Sequence, residues 1–501
     1  MSWLSQNRIL IILLFLGCVY FFSAKGLVEI SDTDYSIRTA KALIEEQTFL
    51  IEPPDPAVVA SSPKVVDGKI YSKYGVGLAI LFLPIVLLAK LVAILPTIQE
   101  GQMTGFLISF YNIPFALGAL FFLHRICRHL GASKDSANLV VLGLGLGTFF
   151  WKYTTSDYSE ITQLFFLLGT IFYLFRSENG DMTKASAMFS GLILMKLVNV
   201  LIWAPLGVYL LLRHGFGKPG FIRVFHFASV VFFTGILLLC YNHIRYGSPF
   251  ITGYEGGGPS FSLDNMKRDF FDYIFSTQRG LFTFNPILLV ALPFWALFLK
   301  QHKNEAICLL LVISLWFLLM ASWVSYQGGW AWGNRLLVFT IPILLLPIAI
   351  YPLKAKWQKV LLIGVFGLSF YIQIVSVFQH THEYFVILRD MEQDEELVGH
   401  MGAMPAQLPA NIILFHQKLG GNSGEYFYST FLGSNTPPFL ASNKISTLEY
   451  QSYQGLHTWP FHLASFLGQP TFCCLLLGIL PCLAFLLFQF YKFTWHSNSE
   501  L

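Results

Sequence analysis

The sequence predicts an all-α polytopic membrane protein. Over its 501 residues, 55% are hydrophobic and only 12% are charged, where a soluble domain carries about 25% charged residues. Mean hydropathy is +0.59. Runs such as Ile9 to Phe22 and Ala306 to Trp323 approach the ~20 apolar residues that cross a hydrocarbon core. The net charge of +4 gives no basic field for nucleic acid, so the placement of each cation matters more than the sum.

Apolar segments fall at 8–28, 76–95, 104–123, 136–153, 160–175, 185–212, 224–243, 286–299, 305–323, 336–353, 360–378 and 470–491. The first resembles a signal peptide, with Arg8 before it and Ser23-Ala24 at its end, but its length predicts a retained span. Basic residues decide which of the others cross. If 76–95 crossed, the loop with Arg125, Arg128 and Lys134 would face outward, against the positive-inside tendency. The segment 76–95, with Pro84 and Lys90, is therefore expected to be juxtamembrane or re-entrant. The first outer loop then spans 29–103.

The same test applies to 185–212, which lies between Arg176/Lys184 and Arg213/Lys218/Arg223. Both flanks read as cytoplasmic, so a hairpin of two short helices is expected, with its apex at Lys196 to Asn199 and Pro205 interrupting the second arm. These adjustments put Lys300/Lys303, Lys354/Lys356/Lys359 and Lys492 on the inside and make both termini cytoplasmic. The expected organisation is a transmembrane domain over 1–378, an outer loop or small cap domain over 379–469, and a last helix with a cytoplasmic tail over 470–501. The seven cysteines all sit in or at the ends of apolar runs, which argues against disulfides and a cysteine metal site.

The outer side receives the acids, the Gly-rich turns and the aromatic clusters. Asp32 and Asp34 open a stretch in which Ile37, Ala40, Leu43 and Ile44 recur at helical spacing, an amphipathic helix lying on the membrane. Helix capping by Ser31 or Asp32 is the structural alternative to a catalytic acid or base. Asp157 and Glu160 form a second acidic turn, readable as a capping box or as catalytic carboxylates. Lys73 in Tyr71-Ser72-Lys73-Tyr74-Gly75, Lys196 at the hairpin apex, and Arg335 after Trp330-Ala331-Trp332-Gly333-Asn334 are cations on the same face. Together they could hold a phosphate or pyrophosphate headgroup; singly, each reads as an interfacial anchor. Arg245 lies in Tyr241-Asn242-His243-Ile244-Arg245-Tyr246, a turn-rich exit from a span, and joins the candidate phosphate ligands.

As a set, these motifs resemble the GT-C membrane glycosyltransferases, in the family 39-like branch of protein O-mannosyltransferases and lipid A aminoarabinose transferases. The strings YNHIRYGSPFITGY, GLFTFNPILL and GGWAWGNRLL are similar to segments of bacterial members, and the resemblance covers residues 8 to about 350. It implies a GT-C-like bundle of about 10–12 transmembrane helices with a re-entrant hairpin and outer-face loops. It also implies transfer of a sugar, with inversion, from a polyprenyl-phosphate donor to a glycan, lipid or protein acceptor at the non-cytoplasmic face of a cell inner membrane. Asp32 falls on the family's base, Lys73 on its donor-phosphate lysine, Asp157 or Glu160 on its second acidic motif, and Lys196 on its hairpin lysine. The family often has Asp-Glu at Asp32-Thr33-Asp34 and Lys-Pro at Lys73-Tyr74, so Asp32 and Asp34 both stand as candidates for the base.

No nucleotide-sugar site is readable, which favours a lipid-linked donor. The acids leave room for a divalent metal, but without a histidine cluster none is predicted. A lipid or glycan transporter and a catalytically silent assembly subunit are the competing classes. A transporter would place its charges near the midplane, whereas here they fall at span ends.

Overall fold

The computed structural model describes residues 8–52, 64–95, 98–178, 180–254, 261–325, 327–351, 355–393, 405–420 and 456–462. The 470–491 span, the tail and most of the 421–469 stretch lie outside the described residues. Apart from one two-stranded antiparallel hairpin, β1 (Lys64–Val66) and β2 (Lys69–Tyr71), the described elements are helical.

Helix α1 (Arg8–Ser23) is followed by the amphipathic α2 (Ser31–Glu45), and β2 leads to α3 (Val76–Val92). Next come α4 (Glu100–Ile108) and α5 (Asn112–His129), which together make one long apolar stretch, then α6 (Lys134–Gly147), the short α7 (Phe150–Thr154) and α8 (Glu160–Arg176). The chain continues as α9 (Asp181–Met195), a 3-10 segment Leu197–Ile202, α10 (Trp203–His214), and α11 (Lys218–Tyr246). Beyond them lie α12 (Leu263–Phe275), α13 (Leu281–Phe284), α14 (Ile287–Ala291), α15 (Trp295–Gln301) and α16 (Lys303–Ser322). Then come α17 (Thr340–Ile350), α18 (Lys356–Phe378), α19 (Thr381–Gln393) and α20 (Gln407–Leu419), and the described residues end with the short stretch 456–462.

Five stretches among the described residues are long and apolar enough to cross a membrane: 100–129, 197–214, 218–246, 303–322 and 356–378. Four shorter apolar stretches accompany them, including 287–301 and 340–350. Both of these contain a proline: Pro293 lies in the 3-10 turn between α14 and α15, and Pro347 sits inside α17. Helices α11 and α18 point Phe225, Phe232, Phe233, Leu237, Val360 and Ile363 outward, as a lipid-solvated surface requires.

Helices α2, α3 and α4 form a layer. Helix α3 packs on α2 and α4, burying Leu78, Phe82 and Val86 against Ala40, Ile108 and Tyr111. Ion pairs Lys41–Glu100, at 3.0 Å, and Lys90–Glu45 tie the ends together. The segment 181–214 doubles back: α9 breaks at Lys196, whose backbone is extended, and at its far end Arg213 Nη1 donates to the Phe175 carbonyl at 2.6 Å, beside the start of α9. Pro205 does not interrupt the second arm. It lies in the first turn of α10, which continues the 3-10 segment without a gap and runs on to His214; the break is made at Lys196.

Charge separates the two ends of the bundle. Arg8, Arg125, Arg128, Lys134 and Arg176 line one cavity of about 470 Å³, while the acidic turn and α2 gather at the opposite ends of α1, α5 and α8.

Gly75 seats the start of α3 on the hairpin apex. A Cβ there would lie 2.6 Å from the Leu194 carbonyl oxygen and 2.7 Å from that of Met195. Gly75→Val is expected to destabilise the protein by about 1–3 kcal/mol, read as a lowered unfolding midpoint in detergent. Gly101→Ala, where nothing stands within 4 Å, is expected to leave the midpoint unchanged.

Candidate active site

Asn112, fully buried at the start of α5, donates to the carbonyls of Ser156 at 2.8 Å and Tyr158 at 2.6 Å, and its Oδ1 accepts from Thr162. Tyr111 Oη donates to the Tyr158 carbonyl at 2.8 Å. These bonds fix the turn between α7 and α8. From the turn, Asp157 Oδ2 accepts the backbone N–H groups of Glu29 at 3.3 Å and Ile30 at 3.1 Å, and Thr33 Oγ1 donates to the Asp157 carbonyl. The start of α2 is therefore stitched to the acidic turn by three hydrogen bonds.

That stitch sets the direction of each acid. Neither Ser31 nor Asp32 caps α2; its N-cap is Ile30, with no side-chain cap bond. Asp32, one-third exposed, places Oδ2 3.5 Å from Arg335 Nη2. Glu160 begins α8 without forming a capping box, and its Oε1 lies 3.8 Å from Arg335 Nε. The Arg335 guanidinium rests 4.3 Å from the Tyr158 ring centre. Asp34 turns elsewhere: it accepts from Arg38 Nε at 2.7 Å and lines a separate cavity of about 650 Å³ with Lys41, Glu45 and Glu100. Asp157 is enclosed behind the site. Burial, with Glu29's charge beside it, raises its carboxyl to about 7.

The cations arrive from three elements. Lys73 sits between the rings of Tyr74 and Tyr254, at 5.7 and 5.9 Å. Burial lowers its ammonium below the usual lysine range and the Asp32 charge opposes that shift. Lys196 stands at the hairpin apex, 5.5 Å from the Trp323 ring centre, within electrostatic reach of Glu160, Arg335 and Asp32. Asn334 caps the 3-10 turn that carries Arg335, accepting from Leu336 N–H at 3.1 Å. The preceding loop is held by Gln407 of α20, whose Oε1 accepts from Gly333 N–H and whose Nε2 donates to the Ala331 carbonyl. Gly333 has φ +55, a left-handed conformation that favours glycine.

Asp32, Glu160, Lys73, Lys196 and Arg335 thus converge, whereas Asp34, Asp157 and Arg245 stand apart from the group. Arg245 bonds the carbonyls of Ser72 and Tyr74 and the side chain of Asn242, with its guanidinium 3.6 Å from the Tyr241 ring centre. It shapes the turn that carries Lys73.

Sequence reasoning missed Tyr158 and Tyr254, and it missed Gln407, whose glutamine carries no motif. It also missed a histidine group. Glu29, His380 and His382 bring ligand atoms within 4.8 Å of one another, so the premise that no histidine cluster exists does not hold. The legible signal was His380-Thr381-His382 at the exit of a span.

No protein-family model and no curated protein matches the chain. Solved structures do match. The Archaeoglobus fulgidus oligosaccharyltransferase tethered with an acceptor peptide containing the NVT sequon aligns with TM-score 0.50 and 11% identity, over 80% of this chain and 59% of that one. ArnT from Cupriavidus metallidurans, bound to undecaprenyl phosphate, aligns with TM-score 0.48 and 13% identity, over 89% of this chain and 75% of that one. This chain spans about three-fifths of the oligosaccharyltransferase's length. The shared feature is the fold, a GT-C-like polytopic helical bundle.

Asp157 acts on the backbone, so Asp157→Ala is expected to cost stability and Asp157→Asn to keep the stitch through its amide oxygen. The pH dependence has a defined sign. A carboxyl raised to about 7 binds its proton more tightly in the folded state, so its contribution is full below the unfolded value near 4 and is lost as pH rises toward 7. Thermal midpoints from pH 4 to 8 should fall with pH more steeply for the wild type than for Asp157→Asn.

Proposed function

We propose that this chain is a membrane glycosyltransferase that moves a sugar from a polyprenyl-phosphate donor to an acceptor hydroxyl at the non-cytoplasmic face, with Asp32 as general base. The observation that carries the reading is the convergence of a partly exposed carboxylate with Lys73, Lys196 and Arg335 at one end of a GT-C-like bundle. These groups come from the first outer loop, the hairpin apex and the loop before α17. The basic ends at the opposite side support a cytoplasmic assignment for that side and for the start of α1.

In the proposed reaction the acceptor oxygen gives its proton to Asp32 as it bonds the anomeric carbon. The bond from that carbon to the donor phosphate oxygen breaks, and the lipid phosphate leaves with the electron pair. Attack opposite the leaving group inverts the anomeric centre. Lys73, Lys196 and Arg335 stabilise charge building on the departing phosphate. Glu160 lies 3.8 Å from Arg335 Nε and adds a second carboxylate beside the guanidinium that Asp32 also approaches, and Arg245 positions Lys73. Because every charge in the cluster lies at a helix end or in a connecting turn, transfer is favoured over transport.

The test uses membranes supplied with a radiolabelled polyprenyl-phosphate sugar pool at matched expression. Asp32→Asn is expected to lower transfer by about 10²–10⁴-fold, the usual worth of a general base, while Asp34→Asn keeps most of it. Equal loss in both variants, or full activity of Asp32→Asn, would remove Asp32 from the chemistry.

A further inference from the structure

Behind the charged cluster, three stretches distant in sequence meet at Glu29. Its Oε1 stands 3.3 Å from His380 Nε2 and 2.5 Å from His457 Nε2. His380 and His382 flank the first residue of α19, and the ligand atoms of Glu29, His380 and His382 lie within 4.8 Å of one another. His380 and His457 are buried with ring centres 3.9 Å apart, and His457 Nδ1 lies 3.2 Å from His462 Nε2. The chain at His457 is fixed in turn: its N–H donates to the Phe378 carbonyl at 2.8 Å, and its carbonyl accepts from the buried Lys25.

We propose that Glu29, His380 and His382 bind a divalent transition metal, zinc by preference, with His457 hydrogen-bonding the liganding carboxylate. Two imidazoles and one carboxylate form a borderline donor set, suited to zinc, whereas magnesium and calcium take oxygen ligands. The 3.3 Å between Glu29 Oε1 and His380 Nε2 matches two neighbouring ligands on a tetrahedral ion with bonds of roughly 2.0–2.1 Å. With three protein ligands, a fourth position falls to water. His457 and His462 then form the outer chain that orients the carboxylate, the usual support of a metal ligand.

The consequence is positional. Glu29 immediately precedes Ile30, the N-cap of α2, and its own N–H is held by Asp157. A metal on Glu29 would anchor the peptide that aims Asp32 to the segments beginning α19 and flanking His457. The site lies outside the group formed by Asp32, Glu160, Lys73, Lys196 and Arg335, and the proposal stands whether or not the chain transfers sugar.

The test is metal content of the full-length protein purified in detergent, stripped with a chelator, supplied with zinc and desalted. The wild type is expected to retain about one zinc per chain, and Glu29→Gln and the double variant His380→Ala/His382→Ala to retain little. Cobalt(II) supplied instead is expected to give the visible bands of a low-coordinate nitrogen–oxygen site in the wild type, which keeps the proposal testable if the variants fold poorly. His416→Ala, a histidine bonded to Tyr371, serves as the control that keeps its metal. A wild type that holds neither zinc nor cobalt, a cobalt spectrum of fully aquated type, or well-folded variants with undiminished zinc would each overturn the proposal.

Discussion

Asp157, buried and accepting two backbone N–H groups from the peptide ahead of α2, is the constraint on which the face carrying the charged cluster depends. A buried carboxyl costs free energy unless its hydrogen bonds are made, and here the bonds are made to the chain whose orientation matters. Because α2 has no side-chain cap of its own, this carboxyl orders the peptide leading into it, while Thr33 anchors the first turn to the same acidic loop. Rotation of α2 by a fraction of a turn would exchange Asp32 for Asp34 at the cations. The stitch prevents that exchange.

Around this fixed point the site balances charge across separate elements. Arg335 stands between Asp32 and Glu160, and Tyr158 covers its guanidinium face. Lys73 and Lys196 approach from the other two elements. Each cation is held indirectly: Lys73 by Arg245 and Tyr246 bonding the Ser72 carbonyl, Arg335 by Gln407 bonding its loop, and Lys196 by the break in α9. Such buried polar contacts favour one arrangement, since alternatives would leave carbonyls and N–H groups unpaired.

Much of this was legible in the sequence, for identifiable reasons. Apolar runs marked membrane segments because lipid leaves the backbone little choice but helix. The cations flanking 185–212 pointed to the hairpin because charge asymmetry constrains topology. Asp32, Lys73, Lys196, Glu160 and Arg335 were readable as polar groups that lipid exposure could not explain. What sequence could not resolve was direction. Asp32 and Asp34 are two residues apart on a helix and so point to different sides, and only the bond from Asp157, 125 residues from Asp32, decides which side each meets. Gln407 carried no motif, and His380-Thr381-His382 was legible only as a pair, because its meeting with Glu29 and His457 comes from tertiary packing. Pro205 misled because its position within α10, the first turn, could not be fixed without the helix boundary.

In the proposed function, Lys73, Lys196 and Arg335 form one binding site for a lipid-linked phosphate, separate from the base that faces it. Native mass spectrometry of the purified protein with polyprenyl phosphate tests this directly, without a known sugar or acceptor. One bound lipid per chain is expected, lost when Lys73 and Lys196 are both changed to alanine and retained in Asp32→Asn. Binding that survives loss of both lysines, or that disappears with Asp32→Asn in a folded protein, would contradict it.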